Sequence, residues 1–177
     1  MTADAGGTSW SATLTRSRTG AFESVQRIAF PLPVVERSAE GARRLGELYW
    51  SEVQRATLRI VRTRTTDRGL EVLLFGAGPA LLRFGLPEHA VGANVVSCVY
   101  PIVGGLLARA AAGSISFVQS GSDAVEVTSS IEGFFPRLAG RRWPSRWNAL
   151  LYSEVQSRLH VALGRRYFAR LWRERHR

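Results

Sequence analysis

The side chains of this chain that could carry chemistry are few and scattered. Glu88 and His89 follow Pro87 directly, and a carboxylate beside an imidazole raises the histidine pKa, as in an acid–base pair. The alternative is two solvated loop residues. Tyr100 alternates with Cys98 and Ile102, so the three share one face of a strand. A tyrosine hydroxyl there either orients a polar group of a ligand or bonds to backbone within a core. Arg83, between Leu82 and Phe84, either meets a carboxylate inside the domain or faces solvent. Tyr49 and Trp50, near the end of the first helical segment, read as the mouth of a cavity or as the packing of a lid.

Other chemistries find no residues to serve them. His89, His160 and His176 have no metal-ligand spacing to one another, to Cys98 or to a carboxylate, so no metal site is expected. A dinucleotide fingerprint starting at Gly76 and Gly78 would need a third glycine where Leu81 stands. A phosphate-binding loop needs lysine, and the chain has none. No Gly-x-Ser-x-Gly elbow occurs, and Cys98 sits inside an apolar strand rather than at a helix N-terminus, so nothing lowers its thiol pKa. No cofactor is expected.

The formal charge is +10, and every one of the 24 basic residues is arginine. Arginine without lysine, in a chain rich in alanine and glycine, points to GC-rich codon usage, so arginine number alone says little about function. Clustering says more: Arg165, Arg166, Arg170, Arg173, Arg175 and Arg177 form a basic tail over residues 165–177. There Tyr167, Phe168, Leu171 and Trp172 oppose the arginines, which reads either as a membrane-surface helix or as packing on the domain or across a dimer. Nucleic acid is the less favoured partner, and the chain is expected to be a monomer or homodimer. One cysteine allows no intrachain disulfide, and no secretory signal pattern is seen, so a reducing, cytoplasmic compartment is the expectation.

These groups must be positioned by about one domain, since 177 residues with 45% hydrophobic content suit a single core. Residues 1–20, rich in serine and threonine, read as disordered, leaving a single domain over 21–177. Phe22 to Phe30 offers a strand ended by Pro31 and Pro33, and Ser38 caps a helical segment from Ala39 to Arg55, in one piece or two. Strand-like runs follow at Thr57 to Thr65, Leu70 to Phe75, Ala80 to Phe84 and Val95 to Val103, with Pro87 to Gly92 as a loop. Ser114 to Gln119 and Ala124 to Ile131 form a hairpin whose inner row includes Ile115, Phe117, Val125, Val127 and Ile131. Ala90 to Ala108 carries no charge, but Asn94, Pro101 and Gly104-Gly105 interrupt it, so it reads as a buried strand with its loops. From Trp147 to about Leu163 an amphipathic helix aligns Leu151, Val155, Leu159 and Ala162 on one side. At Gly164 the apolar stripe shifts, so the helix either bends or runs past the sheet, and overrun is the expected outcome. The fold class is therefore α+β: a curved antiparallel sheet wrapped around a long C-terminal helix.

From Phe22 to about Leu171, this order of strand, helical segment, antiparallel strands and long final helix resembles the START-like, polyketide cyclase and lipid-transport superfamily (SRPBCC) with its helix-grip fold. The segments Pro101 to Ala108 and Gly133 to Leu138 fit its strand ends and loops. The resemblance implies a cavity between sheet and C-terminal helix and nothing narrower, and the expected function is to bind a small hydrophobic molecule or lipid there without catalysis. Tyr49, Trp50, Arg83, Cys98, Tyr100, Phe117, Val127, Leu151, Val155 and Leu159 are the candidate lining. It also admits a cyclase or dehydratase with acid–base groups in the cavity. A third reading is a membrane or nucleic-acid adaptor that works through the arginine tail.

Overall fold

The computed structural model describes residues 10–16, 21–135 and 147–175, with side chains of the final helix described from Val161 onward. Along the chain run β1 (Trp10–Arg16), β2 (Phe22–Phe30), α1 (Ala39–Ala56), β3 (Val61–Thr66), β4 (Gly69–Leu74) and β5 (Ala77–Phe84). They are followed by β6 (Glu88–Gly92), β7 (Val95–Gly104), β8 (Ser114–Ser120), β9 (Val125–Phe134) and α2 (Trp147–Arg175). The nine described strands make one open antiparallel sheet in the order β1-β2-β9-β8-β7-β5-β4-β3, and β6 also pairs with β7. α1 packs on β7, β6 and β3, and α2 lies against α1 and β2.

Period-two alternation sets the inner face. Register pairs Cys98 with Phe117, Tyr100 with Ile115, Gln119 with Val127 and Gln26 with Ser129, which puts these side chains on one side of the sheet. The same pairing bears out the expected rows of Ile115 with Phe117 and of Cys98, Tyr100 and Ile102. Gln119 is buried there and serves backbone rather than ligand. Its Oε1 accepts from the Val34 and Val35 N–H groups at 2.7 and 3.0 Å, and its Nε2 donates to the Val35 carbonyl at 2.9 Å. That bracket satisfies the chain between β2 and α1, which Pro31 and Pro33 keep out of the sheet.

α1 begins where Ser38 Oγ accepts from the Gly41 N–H at 3.1 Å, and it runs as one helix to Ala56. Thr57, expected in a strand, instead sits at the C-cap, and β3 starts only at Val61. The segment 88–92, expected as a loop, is a short strand because Glu88 to Gly92 pairs with Val99 to Val95.

The N-terminal expectation also needs correction. Residues 10–16, assigned to a disordered segment, pair from Trp10 with Ile28 to Arg16 with Phe22. Serine and threonine masked the alternation of Trp10, Ala12 and Leu14; Trp10 is buried, and the Arg165 guanidinium of α2 lies 4.5 Å above its ring. The rest of 1–20 lies outside the described residues.

α2 continues through Gly164 to Arg175. A side chain at 164 would overlap the Gln26 amide, coming 2.6 Å from its Cδ, so glycine here permits close approach to β2 rather than a bend. The apolar row beyond it is core: Tyr167, Phe168 and Leu171 are buried, and Trp172 stacks on Phe30 at 5.4 Å and 6°. Fully burying each such side chain stabilises by about 1.5–3 kcal/mol. Tyr167 and Phe168 are therefore not presented to a membrane surface.

Candidate functional site

The sheet forks at β7. Its first half, Val95–Val99, pairs with β6, whereas Ile102 and Gly104 pair with β5. Between the branches, the Gly85 N–H reaches the Pro101 carbonyl at 2.9 Å, and Leu86 and Pro87 turn the chain from β5 to β6. Above this fork, α1 and the β3–β4 hairpin leave a pocket of about 420 Å³.

The floor is aromatic and the wall polar. Trp50 and Tyr100 lie at the bottom, their ring centroids 5.6 Å apart and edge-on. Trp50 also packs on Phe84 at 5.0 Å, which fixes its indole from the other side. Trp50 Nε1 is buried near the Tyr100 hydroxyl, yet it makes no well-formed hydrogen bond among the described residues. With no surface open to the pocket, the indole N–H is sealed against the Tyr100 side and offers the pocket no donor. Glu47, Ser51 and Gln54 of α1 and Thr63 and Thr65 of β3 supply the wall. Arg43 and Glu47 pair at 3.1 Å on the rim, and Gln54 Nε2 donates to Thr63 Oγ1 at 3.0 Å. The result is a neutral, hydroxyl-rich mouth over an apolar base.

α1 can lie this close because residue 46 is glycine. A methyl group there would collide with the Tyr100 hydroxyl and come 2.6 Å from Cε2 of that ring. Burial raises the Tyr100 pKa well above its ordinary value, with the neighbouring Cys98 adding to the shift. Tyr100 is thus a neutral hydroxyl at physiological pH. Burial likewise pushes the Cys98 thiol up to about 11 against smaller opposing hydrogen bonds from Tyr100 and the Gly46 backbone, so no thiolate nucleophile is available near neutrality.

No protein-family model, curated protein or solved structure matches this chain.

The sequence candidates whose side chains are described separate into three groups. Trp50 and Tyr100 meet in the pocket. Tyr49, Cys98, Phe117 and Val127 share the sheet–helix core, where Tyr49 packs 4.6 Å from Phe117 and 5.6 Å from Tyr167, away from any mouth. Arg83 stands on the exposed side of β5, 3.5 Å from Glu71. Leu151, Val155 and Leu159 belong to α2, but their side chains lie outside the described residues. Where α2 is described, from Val161 to Arg175, Tyr167, Phe168 and Leu171 fill the space against the sheet, and the pocket is walled by the first helix instead.

The suggested acid–base pair does not assemble. Glu88 and His89 are successive residues of β6 and point to opposite faces, and His89 alone lines the pocket. Among the described residues, no group of three or more His, Cys, Asp or Glu side chains is placed to hold a metal ion. No described helix is long and apolar enough to cross a membrane.

Sequence reasoning missed Glu47, Ser51, Gln54, Thr63, Thr65 and Leu86 of the lining. One signal was present: Arg43, Glu47, Ser51 and Gln54 recur at helical spacing as a polar stripe beside the buried row of Ala42, Leu45 and Tyr49. A polar stripe on a surface helix ordinarily faces water, and nothing in the sequence brought the β3 threonines opposite it.

Proposed function

We propose that the protein binds a small, uncharged, largely apolar molecule in the pocket above the β7 fork. The observation that carries this reading is the pocket itself, an aromatic floor of Trp50 and Tyr100 beneath a polar wall. An apolar body would lie on the two rings, and a carbonyl or hydroxyl oxygen would meet the polar wall. The hydroxyls of Ser51, Thr63 and Thr65 offer further polar contacts, and the Arg43–Glu47 pair leaves the rim without a net charge to select ions. A volume of about 420 Å³ falls within the range of about 300–1,000 Å³ typical of small-molecule sites.

The element order, with both helices against an open antiparallel sheet, supports a helix-grip architecture resembling the START-like superfamily. In this reading the binding compartment belongs to the first helix and the sheet fork, with the C-terminal helix as a buttress.

The test is mass spectrometry of the purified full chain under non-denaturing conditions, with chemical identification of anything that co-purifies, alongside titration with the neutral dye Nile red. Thr65→Trp fills the pocket from its exposed rim, and Trp50→Phe cuts back the aromatic floor while keeping a ring. Both are expected to weaken binding, the first by roughly tenfold or more, about 1.4 kcal/mol. Unchanged dye affinity in both variants, with no co-purifying molecule, would overturn the proposal.

A further inference from the structure

At the end of the β3–β4 hairpin beside the C-terminus of α1, large apolar side chains stand in water. Leu58 is 85% exposed and Phe75 66%, with Ile60 and Leu74 exposed next to them. Leu58, Arg59 and Phe75 have φ of 50°, 62° and 52°, the left-handed region that bulky side chains avoid. They are also the only non-glycine residues with positive φ among the described residues. Their backbones are tied down: the Leu58 N–H donates to Arg55 O at 3.1 Å, the Arg59 N–H to Gln54 O at 2.7 Å and the Phe75 N–H to Ile60 O at 2.6 Å. Folding thus holds two hydrophobic knobs outward on a strained backbone, the reverse of what burial favours.

Cations sit beside the knobs. Ser51, Gln54, Arg55, Arg59 and Arg62 line a second depression of about 240 Å³. Arg55 reaches Glu52 at 3.3 Å, but Arg59 and Arg62 have no carboxylate partner among the described residues. Arg62 Nε donates to the Arg59 carbonyl at 3.3 Å, which keeps its guanidinium at the depression. Exposed apolar groups adjoining uncompensated guanidinium groups match an interface with apolar chains below and phosphates at its surface.

We propose that this edge docks on an anionic membrane surface. Leu58 and Phe75 enter the interfacial layer while Arg55, Arg59 and Arg62 bind headgroup phosphates. A nucleic acid would use the guanidinium groups but offers no apolar layer for both knobs. Ser51 and Gln54 line this depression and the ligand pocket alike, so docking brings the pocket mouth to the bilayer. The docking inference goes beyond the ligand reading and does not require it, because its readout uses no ligand.

The experiment is co-sedimentation of the full chain with vesicles of phosphatidylcholine alone and of phosphatidylcholine mixed with phosphatidylserine. Binding is expected to the anionic vesicles and to weaken with added salt. Leu58→Asn with Phe75→Asn removes the apolar groups and supplies residues that tolerate left-handed backbone, so the midpoint of urea unfolding should hold or rise while vesicle affinity falls roughly tenfold. Arg59→Gln with Arg62→Gln should also lose roughly tenfold and flatten the salt dependence. The proposal is overturned if the wild type does not bind anionic vesicles, or if the asparagine variant binds them as well as wild type. Preference for an RNA or DNA competitor that is insensitive to the asparagine changes would also overturn it and assign the arginines to nucleic acid.

Discussion

Arg170 of α2 places its Nη1 2.8 Å from the Glu52 carboxylate of α1, and both side chains are largely shielded from water. The same nitrogen donates to Ser51 Oγ at 2.9 Å, and Arg170 Nε donates to Glu174 at 2.7 Å, itself 2.8 Å from Arg44. Beside this network the Tyr167 hydroxyl donates to the Leu45 carbonyl at 3.1 Å. The C-terminal helix therefore holds in place the helix that walls the pocket. Arginines that the sequence presents as a basic tail are here partly spent on fixing α1.

Removing Arg170 leaves the shielded Glu52 carboxylate with only the exposed Arg55 guanidinium, at 3.3 Å. Arg170→Ala is expected to lower the urea unfolding free energy by about 1–3 kcal/mol, whereas Arg170→Met with Glu52→Met should recover most of the loss. Equal losses in the single and double variants would show that packing, rather than the ion pair, couples the helices.

Acid should loosen the same contact. Burial pushes the Glu174 pKa up, but the hydrogen bond and charge of Arg170, with Arg44, outweigh it and hold the carboxyl below its ordinary value. The unfolded chain then takes up this proton at higher pH than the native one does. The contribution to stability is present above the ordinary glutamate pKa and is lost as pH falls through the lowered native value. Unfolding measured from neutral to acidic pH should show a shallower acid limb in Glu174→Gln than in wild type. Parallel limbs would remove Glu174 from the account.

Gly46→Ala is expected to lift α1 from β7. Its new Cβ would lie 2.6 Å from Cε2 of a buried ring that has little room to turn. Overpacking of this kind costs about 1–3 kcal/mol, and Tyr100→Leu in the same chain should restore part of it. Thermal or urea unfolding of the single and double variants gives the coupling. A neutral Gly46→Ala would mean that the ring yields.

Cys98 should be inert in the native state. It is fully buried and its thiol pKa is raised to about 11, chiefly by burial. A disulfide thiol reagent at neutral pH should react slowly with folded protein and fast in denaturant. Rapid native reaction would place Cys98 on an open cavity after all.

The legible part of this protein is its set of local periods. Alternation around Cys98, Tyr100, Ile115 and Phe117 marked inner strand faces, and the Ser38 cap with the Ala42, Leu45 and Tyr49 row marked α1, because side-chain direction follows backbone period wherever one face is buried. β1 escaped because threonine and serine blur that contrast while pairing well in a strand. Tyr49 and Trp50 show what local reading cannot separate. They are adjacent in the chain, yet one packs between Phe117 and Tyr167 in the core and the other floors a pocket. Their difference arises from partners on β3, β7, β8 and α2, which are remote in sequence. The same holds for Tyr167 and Phe168: opposed to arginines along one helix they resemble a surface stripe, and only the sheet and α1 folded against them turn the row into core. A helix face carries its own polarity, but whether it meets water, lipid or another element depends on long-range pairing that no single segment encodes.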